Sequence, residues 1–333
     1  MAATPASTTA ELTPAGLPAG VDMSGRPESS LRERRLAELG VLAVTVVWAS
    51  NFIVVKAAIE VLPPVGMSAL RFGLAALVLL ALLRWREGTI RLPLRDLSAM
   101  AVVGVLGFGV YQVLWATGLL AITAGDSALL IATTPVLTAL LAVLAGSDTL
   151  TPRKLVGAVV SFVGVAVVIG AGQGLALGAS LAGDLLTLGA ALCWALYTSF
   201  GAPILRRHSP LRTTAWAVTA GALFLLPIGG AQLATVDLPA VPPAAWLAVL
   251  YSALLPAALS NVIVFRAVKL LGPTRITAFQ FLVPAFAVLM AALFLAEPIR
   301  VAQILGGLVI VAGILVTRSG GAVIAGRARR AAA

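Results

Sequence analysis

Several polar side chains of this 333-residue chain stand inside long apolar runs. A polar group in hydrocarbon is costly unless it faces a helix bundle or water, so each one is a candidate for function. The only two asparagines, Asn51 and Asn261, both follow a serine, and Gln112 and Gln280 join them. A carboxamide donates and accepts hydrogen bonds, which suits a zwitterionic or otherwise polar solute. The same amides serve equally as glue between helices, worth about 0.6 kcal/mol per interaction on average. Arg71 carries a permanent guanidinium able to hold a carboxylate or phosphate at two points. Lys56 could act similarly, pair with Glu60 one turn on, or extend its stem to the interface. The aromatic candidates are Trp48, Tyr111, Trp115, Trp194, Tyr197 and Tyr251. Membrane Trp and Tyr usually form interfacial belts, but Trp48 and Trp194 stand near the middle of their runs. They are expected to wall a cavity, with core packing as the alternative. Together these amides, rings and Arg71 form the expected solute-binding set.

The elements that must position them are membrane helices. Sixty per cent of the residues are hydrophobic and 11% charged, against roughly 45–50% and 25% in soluble chains. Mean hydropathy is +1.05. An all-α integral membrane fold follows. A span needs about 20 residues, and ten runs qualify: 39–61, 65–84, 97–119, 127–145, 154–172, 182–205, 212–231, 244–267, 275–295 and 299–317. Residues 1–38 read as a cytoplasmic tail without an apolar core, ending in Arg32, Arg34 and Arg35. Residues 318–333 read as a basic cytoplasmic tail. The net charge of +10 is a topology signal and not a nucleic-acid patch. With the N-terminus inside, 20 of the 23 basic residues fall in alternate joints on one face, among them Arg26 and Arg275, and only Arg300 falls opposite. Both termini are therefore expected in the cytoplasm, with the chain in the cytoplasmic membrane.

The chain also repeats itself. Shifted by 149 residues, Pro284 falls on Pro135, Glu297 on Asp148, Gly306 on Gly157, Gly313 on Gly164 and Asn261 on Gln112. Shifted by 146, Trp194 falls on Trp48. Two five-helix halves, 39–172 and 173–317, would enter the membrane in opposite senses, a plan used by many secondary transporters. Pro135 and Pro284 each remove a backbone hydrogen bond near mid-helix and are candidate hinges. Gly157/Gly164 and Gly306/Gly313 are expected to admit close helix contact without any ligand. Of the acids, Asp126 and Asp184 sit at helix N-termini, where the dipole favours a carboxylate. Asp148 and Glu297 lie beyond helix C-termini, placed to bind the next helix start or nearby Arg153 and Arg300.

These segments resemble the EamA family of the drug/metabolite transporter superfamily. The matching residues are Trp48-Ala-Ser-Asn51-Phe52 with Lys56, Arg71-Phe72, Thr133-Thr134-Pro135, Gly183-Asp184 with Trp194 and Tyr197, Pro284, Glu297-Pro298, Gly306 and Gly313. They span about 39–318. Asp148 departs from the glutamate more usual in the family's first half. The resemblance implies a metabolite transporter, usually an exporter of small polar solutes such as amino acids. Efflux of cationic drugs is the alternative use of the fold.

Other classes fit less well. One cysteine, Cys193, and one histidine, His208, cannot build a four-ligand zinc site, and no cofactor is expected. There is no Walker or HExxH sequence and no pair of acids at helical spacing, so neither an enzyme nor a primary pump is expected. A channel would show rings of charge. No acid is central in a span and His208 lies in a joint. Proton antiport, exchange against a counter-solute and coupling through the solute's own charge therefore stay open.

Overall fold

In hydrocarbon each backbone N–H and C=O must be satisfied within its own segment, which leaves helices as the economical solution for runs of this composition. The computed structural model describes residues 31–331 apart from 147, 173–178, 272–275 and 277–278. The predicted tail up to residue 30, with Arg26, and Arg275 lie outside the described residues. The helices are α1 (Leu31–Ala58), α2 (Pro64–Glu87), α3 (Leu94–Gly118), α4 (Ala124–Leu144), α5 (Pro152–Gly172), α6 (Ala179–Arg207), α7 (Pro210–Leu233), α8 (residues 243–271), α9 (Leu282–Leu295) and α10 (Val301–Ala331). No strand occurs among the described residues. Among the described residues, eight helices are long and apolar enough to cross a bilayer, and two shorter apolar helices, Leu282–Leu295 and Val301–Thr317, occupy the ninth and tenth predicted positions. Both predicted tails meet helix: α1 starts at Leu31, so Arg32, Arg34 and Arg35 are exposed on its first turns, and α10 continues to Ala331.

Punctuation in the sequence sets these boundaries. Pro64, Pro152, Pro210 and Pro243 each begin a helix, where the missing N–H has no intrahelical partner to lose. Ser209 and Thr123 cap α7 and α4 by accepting the N–H groups of Arg212 and Asp126. Gly88 ends α2 with φ of 71°, a left-handed turn that favours glycine.

Three helices are irregular. α3 carries a π-helical segment at Val105–Val110 and α8 another at Ala253–Leu259. α4 breaks at Ala132–Thr133, just ahead of Pro135. A proline ring crowds the carbonyl four residues back, and here the Thr134 hydroxyl donates to that carbonyl, Ile131 O, at 2.7 Å. The Thr133 hydroxyl donates to Leu130 O at 2.7 Å. Two carbonyls at the break thereby find hydroxyl donors within the same segment. Pro284 lies in the first turn of α9, also directly after an interruption, at Phe281.

Small residues set the closest helix contacts. On Gly164 a β-carbon would lie 2.7 Å from Gly306 O, and on Gly313 it would lie 2.5 Å from Gly157 O. These paired glycines therefore weld α5 to α10 with no ligand involved. α3 is wedged between α6 and α7, where Gly107 meets the Tyr197 ring and Gly104 the Ala217 backbone. α1 packs on α8 and α9; Val41 and Val44 of α1 share a buried cluster with Val264 of α8 and with Ile276, ahead of α9.

Ion pairs fasten several helix ends. Asp96 meets Arg207 at 3.0 Å and His208 at 2.7 Å. Arg212 meets Glu87 at 2.9 Å. Asp148 pairs with Lys154 at 2.6 Å, not with Arg153. That ammonium, with the Thr149 N–H, holds the Asp148 carboxyl below the usual carboxylate range. Glu297 reaches neither Arg300 nor its own next helix. It accepts the first N–H groups of α4, Ala124 and Gly125, at 2.9 and 3.3 Å.

Candidate functional site

A cavity of about 250 Å³ lies at the centre of the bundle, bounded by α1, α2, α3, α4, α6, α8 and α9. Nine of the eleven nominated residues line it: Trp48, Asn51, Arg71, Tyr111, Gln112, Trp115, Trp194, Asn261 and Gln280. Pro135 and Pro284 line it too, so both helix interruptions border the same space.

Arg71 is the dominant charge. It is only 2% exposed, on α2. Nη2 donates to Gln112 Oε1 on α3 and Nη1 to Asn51 Oδ1 on α1 at 3.5 Å. The guanidinium carbon lies 4.9 Å from the centre of the Phe72 ring and 5.3 Å from that of Trp115, close enough for cation–π attraction. Nε has no hydrogen-bond partner. Gln112 and Asn51 are thus committed in part to orienting this cation.

The walls are aromatic and continuous. Phe52 meets Trp115 edge-on at 5.4 Å, Trp115 stacks on Tyr111 at 6.3 Å, and Tyr111 meets Trp194 at 5.6 Å. Trp194 then meets Phe108 at 5.6 Å, and Phe108 meets Phe72 at 5.8 Å. The Trp115 indole donates to Ser127 Oγ at 3.1 Å, which fixes its plane. Trp48 and Trp194 face the same cavity from α1 and α6. The Trp48 indole donates to Pro256 O at 3.4 Å, a carbonyl in the widened turn of α8. Asn261 spends its NH2 on the same turn, donating to Ala257 O at 2.9 Å and Pro256 O at 3.4 Å.

Two nominated tyrosines lie elsewhere. Tyr197 packs its ring on Gly107 and against Phe108, and is a wedge between α3 and α6. The Tyr251 hydroxyl pairs with Ser50 Oγ at 2.6 Å, joining α8 to α1 beside a separate pocket. Lys56 neither pairs with Glu60 in a close ion pair nor enters the cavity. Its ammonium donates to Leu119 O at 2.6 Å and Ile122 O at 2.8 Å, holding the C-cap of α3 and the turn that leads into α4. Sequence reasoning overlooked Phe108, Phe281 and Pro256 as lining residues. Pro256 carried a readable signal, because a proline within a span leaves carbonyls to be satisfied by side chains.

Among the described residues, the lining contains no cysteine, histidine, aspartate or glutamate. It offers one fixed cation, several amides and a ring of π-faces around a space for a small solute. At about 250 Å³ it falls just below the roughly 300–1,000 Å³ of sites that hold drug-sized molecules.

Comparison with known proteins agrees with this architecture. The sequence profile of the EamA-like transporter family matches residues 35–170 and again 181–319. YyaM, an uncharacterized transporter of Bacillus subtilis, is 28% identical over 282 residues, covering 84% of this chain and 92% of its own length. An uncharacterized transporter of Archaeoglobus fulgidus is 30% identical, covering 83% and 95%. A protein of Streptantibioticus cattleyicolor described as a "probable terminal-alkyne amino-acid exporter" is 33% identical, covering 82% and 91%. A solved crystal structure shares the fold at a TM-score of 0.59 and 20% identity, over 87% of this chain and 97% of that one. With one profile matching each half, and with relatives of at least 30% identity along nearly their whole length, the chain belongs to the EamA-like transporter family.

Proposed function

We propose that this protein is a secondary transporter that exports a small polar, amino-acid-like metabolite by alternating access, through ten spans arranged as two inverted halves. The carrying observation is the central cavity, whose amide, cation and aromatic lining comes from both halves. The two-fold plan is supported by the double family match at 35–170 and 181–319. The π-helical segments of α3 and α8, Val105–Val110 and Ala253–Leu259, support it as well. They begin 148 residues apart, within one residue of the 149 that relates Asn261 to Gln112. An odd number of spans per half inverts the second half, and exchange of conformation between halves moves access from one face to the other. Both termini are assigned to the cytoplasm on the bias of basic residues. Pro135 and Pro284 are assigned as the flexing points, because each follows an interruption that borders the cavity. The amino-acid-like solute and the export direction draw on the Streptantibioticus relative.

The test is counterflow in liposomes preloaded with a panel of amino acids and their acylated and deaminated derivatives. Saturable uptake against a preloaded solute is expected. It should fall at least tenfold in Trp48→Ala, Asn51→Ala or Asn261→Ala, with membrane insertion retained. Normal counterflow in all three variants would sink the assignment of the cavity.

A further inference from the structure

We infer that the cavity selects its solute by charge: it takes a carboxylate-bearing molecule with a flat apolar body, and Arg71 is the group that receives the carboxylate. The inference rests on the cavity being the transport site and names the chemistry of what enters it.

The argument is one of unbalanced charge. Among the described residues, the lining of the cavity contains Arg71 and no aspartate or glutamate. The cation is almost fully buried and its polar contacts are two neutral amide oxygens. A guanidinium has five N–H donors; these amides take two, and Nε has no partner. A buried cation left to neutral acceptors is incompletely compensated, and a carboxylate both matches the fork at two points and brings the single negative charge that balances it, where a phosphate would bring more. Gln112 and Asn51 act on the solute through Arg71 and are positioning residues. Away from that corner the wall is π-faces, including Trp48, Tyr111 and Trp194, which fit a planar apolar body. A primary amine lacking a carboxylate would bring a second positive charge toward Arg71 with no acid to offset it. In a low-dielectric cavity that repulsion is barely screened. This separates the site from one built for cationic drugs.

The experiment compares four probes that share one ring: phenylacetate, phenylalanine, 2-phenylethanol and phenethylamine. Binding to the purified protein is read by quenching of intrinsic tryptophan fluorescence and by thermal stabilisation. The expected result is that phenylacetate and phenylalanine bind at least tenfold tighter than phenethylamine, with 2-phenylethanol between. Arg71→Gln should weaken phenylacetate at least tenfold and leave 2-phenylethanol unchanged. Arg71→Lys, which keeps the charge and loses the fork, should fall between. Phenethylamine binding as tightly as phenylacetate, undiminished phenylacetate affinity in Arg71→Gln, or no binding of either carboxylate would each overturn the inference. Should Arg71→Gln fail to fold, the comparison of probes on the unmodified protein decides alone. Carboxylate-selective binding without counterflow would overturn the transporter reading and leave the charge assignment standing. Counterflow of phenethylamine in preference to phenylacetate would do the reverse.

Discussion

A cationic side chain in a membrane helix can have a structural or a solute-binding task, and the two here divide cleanly. Arg71 and Lys56 stand on neighbouring helices, but Lys56 is occupied by backbone carbonyls, whereas Arg71 is held by amides at the edge of a cavity. The last carbonyls of a helix carry the negative end of its dipole and have no intrahelical donor. An ammonium 2.6 Å from Leu119 O, the residue that caps α3, supplies such a donor, and at 2.8 Å from Ile122 O it also ties down the turn into α4. A hydrogen bond to a charged group contributes about 1.5–3 kcal/mol. Lys56→Met should therefore lower the thermal unfolding midpoint of the detergent-solubilised protein while leaving solute affinity within twofold. A variant with an unchanged midpoint and weakened binding would move Lys56 from a capping role to the solute site.

At the scale of elements, the α5–α10 pair gives the sharpest packing test. On Gly164 any side chain meets the backbone of α10, with Gly306 O and Ile310 N each 2.7 Å from the position of its β-carbon. Backbone cannot swing aside as a flexible side chain can. Overpacking costs about 1–3 kcal/mol even where side chains yield, so Gly164→Leu should cost at least that. Gly170, six residues on in the same helix, has no neighbour within 4 Å of the equivalent position, and Gly170→Ala should be neutral or slightly stabilising. Thermal unfolding of the two variants side by side checks this; equal midpoints would mean that α5 and α10 do not touch as described. This contact was readable from sequence because glycines seven residues apart repeat in both halves. The cavity was readable for a related reason: an amide or arginine inside an apolar run has few places to go. What could not be read is which aromatic ring faces solute and which fills a gap. Tyr111, Tyr197 and Tyr251 have the same chemistry and similar surroundings in sequence. Only the approach of Gly107 to Tyr197 and of Ser50 to Tyr251, 201 residues away in sequence, separates them. The partners of Lys56 and Glu297 were hidden likewise, since both bind backbone that is remote in sequence.

On the scale of the whole molecule, the contacts between α4 and the α9–α10 joint form a clamp across the two halves. Glu297 accepts the first two N–H groups of α4; Asp126, in the first turn of α4, accepts from Arg300 and from Gln303 at 3.0 Å. Ala296, just before Glu297, adopts φ of 53°, a left-handed conformation uncommon outside glycine. The clamp lies at the end where α1 finishes, the exterior under the proposed orientation, and it fastens α4 close to where that helix breaks at Ala132–Thr133. Under the proposed export cycle, opening that end for release would separate these contacts. A helix N-terminus that loses its carboxylate partners forfeits about 0.3–1 kcal/mol each, more where the site is partly buried, enough to shift a balanced two-state equilibrium several-fold. The test uses a single accessible thiol. On a Cys193→Ser background, Ala132→Cys places it in the cavity wall, and a membrane-impermeant maleimide reads its exposure from the exterior. Adding Glu297→Gln with Asp126→Asn should raise the exterior labelling rate several-fold and leave the rate from the cytoplasmic side unchanged or lower. If the rate from the exterior is unaltered, the clamp does not govern access and must be counted as packing alone. A rise from both sides together would mean that the bundle has loosened as a whole, which a lowered unfolding midpoint would confirm.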